Sequence, residues 1–257
     1  MKRFIAIPAL IALLFFAVGC QREPQTDVYV DETAAPLKEG SDAAFTYTAR
    51  VEYVTGGVPQ ATVEKINGAI AETTFGVKDL ADVPAAAVKA REEAVKGYRE
   101  ACLDMLKNTQ DEIPAYFFNW TSDIQGGFET ACPARHLQTY LVHASDYSGG
   151  AHGMFGDLAI IFDTRTWDIV TEETLFSDDY VAPLSELLWA HRFDGFENPE
   201  AQSDDLFFAS EIAPNGNFTT GEEGITYVFN PYEIAPYASG IIRIPLPWNE
   251  LEPLLRK

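Results

Sequence analysis

The run Tyr147-Ser148-Gly149-Gly150-Ala151-His152-Gly153 gathers the side chains best suited to chemistry. An imidazole titrates near neutral pH, so His152 suits an acid or base role if Asp146, Asp157 or Ser148 stands beside it. The glycines allow positive φ and close backbone approach, so the run can turn sharply between two strands. The same residues fit a wide hairpin in which His152 caps backbone groups. That reading outweighs catalysis, because no second group lies at a diagnostic spacing. Ser148 is not in Gly-x-Ser-x-Gly and is no nucleophile elbow. The catalytic candidates reduce to His152 and Asp157.

The remaining titratable residues carry weaker signals. His136, His143 and His191 form no His-Glu-x-x-His and no tight zinc spacing with cysteine. The acidic pairs Glu172-Glu173, Asp178-Asp179, Asp204-Asp205 and Glu222-Glu223 read as solvated surface, with no EF-hand spacing. No glycine pattern of a nucleotide site occurs. Neither a metal nor a cofactor is expected, and a binding protein is expected before an enzyme. The binding candidates are Tyr147, His152, Tyr232 and Tyr237. Pro231 and Pro236 fix φ around the two later tyrosines and bias their neighbours to extended forms. Tyr232 and Tyr237 suit an interface hot spot, and they suit a core with hydrogen-bonded hydroxyls somewhat better.

The N-terminus supplies an address. Lys2 and Arg3 precede an uncharged apolar run that ends in Ala17-Val18-Gly19-Cys20. This is the pattern of a secretory signal over residues 1–19, too short for a confident membrane span. It resembles the bacterial lipobox, which implies lipid on Cys20 and a membrane anchor without a span. Gln21 follows where the lipoprotein pattern uses Asp for inner-membrane retention. The expected place is therefore the outer membrane, facing the periplasm. Export makes Cys102 and Cys132 candidates for a disulfide worth about 3 kcal/mol; two buried free thiols are the alternative. The formal net charge is −21, and cleavage removes two basic residues and no acidic one. That field argues against nucleic acid and suits a basic protein partner, although solubility alone also explains it.

These residues need a frame. Residues 20–42 have few large apolar side chains and read as a flexible tether. Residues 45–54 alternate and are β-branched or aromatic, as a strand does. Pro59 opens a helix with Val63, Ile66 and Ile70 on one face. A second helix over residues 85–107 turns Tyr98 and Cys102 to the core. From residue 115 the period becomes 2, with Tyr116, Phe118 and Trp120 alternating, and a meander runs to residue 170. Residues 178–193 are helical, residues 194–205 form a loop, and short strands close the chain. The fold class is α+β: an antiparallel sheet with helices packed on one side. A strand–helix part occupies residues 43–110 and a larger C-terminal domain residues 111–257.

Two stretches carry a family resemblance. They are SGGAHG with the strand after it and FDTRTWDIVTEETLF, and GITYVFNPYEIAPYASGIIRIPLPWNEL. Together they resemble the extracellular domain of RsiV-type anti-sigma factors, a domain of unknown function also met in bacterial lipoproteins. The start, residues 45–75, resembles the small domain that precedes this domain in PdaC-type peptidoglycan deacetylases. The resemblance implies an α+β fold and a cell-envelope location. It also implies a binding surface for lysozyme or another cell-wall-active protein. Neither sigma-factor control nor deacetylation carries over, because the corresponding segments are not in this sequence. The alternative is a peptidoglycan- or carbohydrate-acting enzyme or binding protein using the SGGAHG region. A structural envelope lipoprotein without a discrete ligand is a third reading.

Overall fold

The computed structural model describes residues 23–109, 113–194, 206 and 211–256. The expected signal at residues 1–19, the lipidation candidate Cys20 and residues 195–205 of the expected loop lie outside the described residues. The fold is α+β. A five-stranded sheet holds β1 (Gln25–Pro36), β2 (Ala44–Gly56), β3 (Trp120–Cys132), β4 (Leu137–Tyr147) and β5 (Met154–Asp163), in that order. A three-stranded sheet holds β6 (Phe218–Thr220), β7 (Gly224–Phe229) and β8 (Ile242–Pro247). Between β2 and β3 come α1 (Gln60–Phe75) and α2 (Val83–Asn108); later come α3 (Glu172–Leu175), α4 (Val181–His191) and α5 (Trp248–Leu251).

Side-chain alternation sorts the layers. Phe45, Tyr47, Ala49 and Val51 of β2 point to the helices, as do Tyr140 and Val142 of β4 and Ile160 and Phe162 of β5. Val63, Ile66 and Ile70 of α1 and Tyr98 and Cys102 of α2 cover them. Leu137 and Ile161 face the other way and meet β6–β8 and α4 in a second core. The strands pair antiparallel except β2 and β3, which run parallel because α1 and α2 form the crossover between them.

Two expectations are corrected. Residues 25–36, expected within the tether, form β1, paired along its length with β2. The inward side of β1 is polar, which hides it from an apolar-pattern reading. Buried Asp31 accepts hydrogen bonds from Tyr29 (2.9 Å), Thr33 (2.7 Å) and Arg91 of α2 (2.6 Å). Burial raises its pKa, but these three donors outweigh that and hold the carboxyl below its ordinary value. The disulfide is the second correction: Cys102 and Cys132 are both buried free thiols. Cys102 packs with α2 in the helix-side core and Cys132 in the core across the sheet. Burial pushes the Cys102 thiol up to about 11. A smaller difference concerns Ala115–Phe118, which form a 3-10 turn before β3, with the Tyr98 hydroxyl donating to the Phe118 carbonyl (2.8 Å).

Asparagine amides complete the sheet where strands leave backbone groups without a neighbour. β3 stops pairing with β2 at Val51, and further along Val54 is met by Asn67 of α1. The Asn67 Oδ1 accepts from the Val54 N–H (2.9 Å), and its Nδ2 donates to the Val54 carbonyl (2.8 Å). On the outer edge of β5, Asn230 makes the same pair of bonds to Asp157 (2.7 and 3.0 Å). Asn217 accepts from the Ala159 N–H (3.0 Å) and donates to the Asp157 carbonyl (2.8 Å) and the Val228 carbonyl (3.2 Å). These last amides join the two sheets.

At the end of α4, His191 is bonded through Nδ1 to Asp194 and through Nε2 to Glu250 of α5 (3.0 Å). The Glu250 bond, with help from Asp194, outweighs burial and raises the imidazole pKa.

Two outcomes follow. Removing Asn67 orphans both the N–H and the carbonyl of Val54, so Asn67→Ala should cost about 2–4 kcal/mol in urea unfolding. Asn217→Ala strands only the Ala159 N–H, because Asn230 and Asn215 still donate to the Asp157 and Val228 carbonyls, so it should cost about 1–3 kcal/mol. The folded His191 pKa exceeds its unfolded value, so its stabilisation is full below about pH 6.5 and is lost as pH rises through the folded pKa. Unfolding measured from pH 5 to 8.5 should show this loss, and His191→Gln should flatten it.

Candidate aromatic binding site

Two loops that are far apart in sequence meet at one end of the large sheet. The first joins β4 to β5. Gly149 (φ 86°) and Gly150 (φ 96°) turn the chain, and the Tyr147 hydroxyl donates to the Gly150 carbonyl (3.1 Å). Gly153 lets the loop close: a Cβ there would lie 2.4 Å from the Asp146 carbonyl oxygen. This closure presents His152 at the surface, with Nδ1 2.9 Å from the Gly153 carbonyl.

The second loop follows β7. The Glu233 N–H donates to the Asn230 carbonyl (3.0 Å), closing a turn with Pro231 at its second position and Tyr232 at its third. Tyr232 has φ 73°, the left-handed conformation that the third position of a type II turn demands and glycine usually fills. A side chain there costs about 1 kcal/mol or more. The turn is held from both ends. The Asn230 amide grips β5, and the Glu233 carboxylate accepts from the Asn230 N–H and the Asn215 Nδ2 (both 3.0 Å). Pro231, Ile234 and Ala235 are buried beneath, while Tyr232 is 51 % exposed.

The two loops bring the aromatic rings together. Tyr237 stacks on His152 with centroids 4.0 Å apart and an interplanar angle of 24°. Tyr232 lies 5.8 Å from Tyr237, and Phe155 of β5 meets Tyr237 edge-on at 5.5 Å. Of the residues singled out in the sequence, His152, Tyr232 and Tyr237 thus form one platform. Tyr147 stiffens the loop beside it.

Asp157 stands apart from His152. Its buried carboxylate bonds the Nδ1 of His143 (2.6 Å) with one oxygen and Arg243 of β8 with the other. His143 and Asp157 are register partners across β4 and β5, whereas Arg243 comes from the second sheet. Sequence reading missed this trio, because no local spacing links the three positions. Chemically it is a histidine oriented by a carboxylate that an arginine neutralises. Its position between the sheets makes it a fastener. Glu172 was read as solvated surface but is buried, accepting from the hydroxyls of Tyr227 (2.8 Å) and Tyr180 (3.1 Å) and from the Gly216 N–H (2.9 Å). Burial, reinforced by Glu172, pushes the Tyr180 hydroxyl up to about 12. Among the described residues, no group of three His, Cys, Asp or Glu side chains is placed to hold a metal ion.

The strain at Tyr232 has a measurable signature. Tyr232→Gly and Tyr232→Ala both remove the ring, but only alanine retains the cost of positive φ. The glycine variant should be the more stable by about 1 kcal/mol in thermal unfolding, the reverse of the usual order of these residues.

Comparison with known proteins finds other structures of this fold. No curated protein matches the chain. The crystal structure of a DUF3298-family member from Bacteroides fragilis is similar, with a TM-score of 0.77 at 23% identity, covering 92% of this chain and 95% of that one. A DUF3298-family protein from Pseudomonas aeruginosa is similar with a TM-score of 0.58 at 14% identity, covering 92% of this chain and 96% of that one. At these identities the likeness is one of fold. Residues 173–249, which supply α4, the second sheet, Asn217, Asn230 and both platform tyrosines, match the family described as protein of unknown function (DUF3298).

Proposed function

We propose that the protein is a lipid-anchored cell-envelope binding protein, held through Cys20 at the outer membrane, and that it captures a basic protein such as lysozyme on the Tyr232–Tyr237–His152 platform. The observation that carries this reading is Tyr232. Its turn accepts a conformation that disfavours a side chain, and a large aromatic ring is placed there and left half exposed. Clustered tyrosines with polar tips and rigid bodies are the usual anchors of protein interfaces. A net charge of −21 would steer a basic partner to the surface and reject nucleic acid. The resemblance of the two loops to the RsiV-type extracellular domain names lysozyme as the first partner to try.

The neighbours of His152 favour binding over catalysis. Its bonded contact is the Gly153 carbonyl and its ring lies on Tyr237, so the groups around it supply neither a carboxylate partner nor a nucleophile.

The test is capture of lysozymes of several types by the full chain purified in detergent, at low and high salt. Retention is expected at low salt and should fall as salt rises. Tyr232→Ala and Tyr237→Ala should each weaken it by about tenfold or more. No retention of any lysozyme at low salt, or equal retention by the tyrosine variants, would overturn the proposal. Retention of peptidoglycan fragments in place of lysozyme would favour the carbohydrate reading.

A further inference from the structure

A second feature lies at the opposite end of the large sheet, and its reading is independent of the platform. The parallel pair β2 and β3 runs in register from Phe45 and Trp120 to Val51 and Gly126, and then the strands part. β3 bulges between Phe128 and Ala131. Two substitutes fill the interrupted ladder: the Glu52 carboxylate accepts from the Phe128 N–H (3.0 Å), and the Tyr140 hydroxyl donates to the Glu52 carbonyl (2.7 Å). The parting opens a cleft of about 470 Å³.

The lining of this cleft has one chemical character. Two acidic residues, Glu52 and Glu23, line it together with Phe128, Trp167 and Gln138. Among the described residues, none that lines it is Lys, Arg or His. Of the cations in this region, Arg165 pairs with Asp163 and Lys65 with Asp168. Only one oxygen of Glu52 bonds Phe128. The Gln138 Nε2 donates to the carbonyls of Glu129 (3.1 Å) and Thr139 (2.9 Å), which leaves its Oε1 as an acceptor. One position is held at a conformational cost, and another is placed by a close backbone approach. Trp167 has φ 58°, and its N–H closes a tight turn on the Asp163 carbonyl (2.6 Å). Glu23 is pressed against Gly57, where a Cβ would lie 2.3 Å from the Glu23 carbonyl oxygen.

We propose that this cleft binds an organic cation, an alkylammonium group carried by a small amine or by a lysine side chain. An ammonium has three donors and no acceptor, which matches a site offering carboxylates and an amide oxygen. Its alkyl stem gains from apolar walls, and a cation over an indole gains a further attraction. A cleft of this volume accommodates a lysine side chain with its flanking peptide groups.

The test uses the full chain labelled with 5-fluorotryptophan, with the Trp167 resonance assigned through Trp167→Phe. Three probes are titrated: butylammonium, N-acetyl-lysine methylamide and its uncharged isostere N-acetyl-norleucine methylamide. The lysine probe should move the Trp167 resonance saturably, and the norleucine probe should bind at least tenfold more weakly. Glu52→Gln should weaken the lysine probe by a similar factor. Glu23→Gln, at an exposed position, should weaken it with the fold intact by circular dichroism. Tighter binding of the lysine probe than of butylammonium marks a side chain as the source; the reverse marks a small amine. Equal binding of lysine and norleucine probes, unchanged binding in both glutamate variants, or a resonance that no amine moves would overturn the proposal.

Discussion

A strand that ends its pairing inside a protein leaves an N–H and a C=O that water no longer reaches, and each must find a partner. This chain meets that demand repeatedly with the same group. The carboxamide offers one acceptor and one donor in a plane, as a neighbouring strand residue would. Asn67 supplies it to Val54, Asn230 to Asp157, and Asn217 to Ala159 and Asp157. The outer edge of β5 is thereby closed against pairing with another chain. The larger effect is positional. Because Asn230 begins the turn that carries Tyr232, the platform is referenced directly to the backbone of the large sheet.

Much of the frame was legible in the sequence. Val63, Ile66 and Ile70 at helical spacing gave α1, and the alternation of residues 137–145 gave β4. Patterns of this kind report burial on one face, and they fail where burial is polar. β1 buries Asp31 and turns Val28 and Val30 outward, so its signature is inverted and the segment read as a tether. The asparagine bonds are long-range and have no local signature. The same is true of the cysteines: two cysteines in a chain read as exported suggest a bridge, and only the layer order reveals that the sheet lies between them.

The candidate site was legible by residue and not by arrangement. His152, Tyr232 and Tyr237 stood out singly, for chemistry or for neighbouring prolines. Their stacking depends on two loops converging over the edge of β5, which only the folded chain displays. Backbone strain was equally invisible. Trp167 and Tyr232 are both aromatic residues held at positive φ, and each belongs to one of the two candidate ligand surfaces. Trp167 recovers part of that cost by packing against Phe162, whereas the half-exposed ring of Tyr232 recovers little, which is why the latter position points to recognition.

The strand found in place of the tether has a consequence for orientation. With lipid on Cys20 as proposed, only residues 21–24 separate the acyl chains from β1, a reach of about 15 Å when fully extended. The body would rest almost on the bilayer. β1 begins beside the acidic cleft, so that end would face the headgroups. β4 runs from the cleft at Leu137 to the platform at Tyr147, a rise of about 35 Å for its 11 residues. The aromatic rings would then stand at the far pole, raised into the envelope space, and a partner would have to arrive from the cell-wall side.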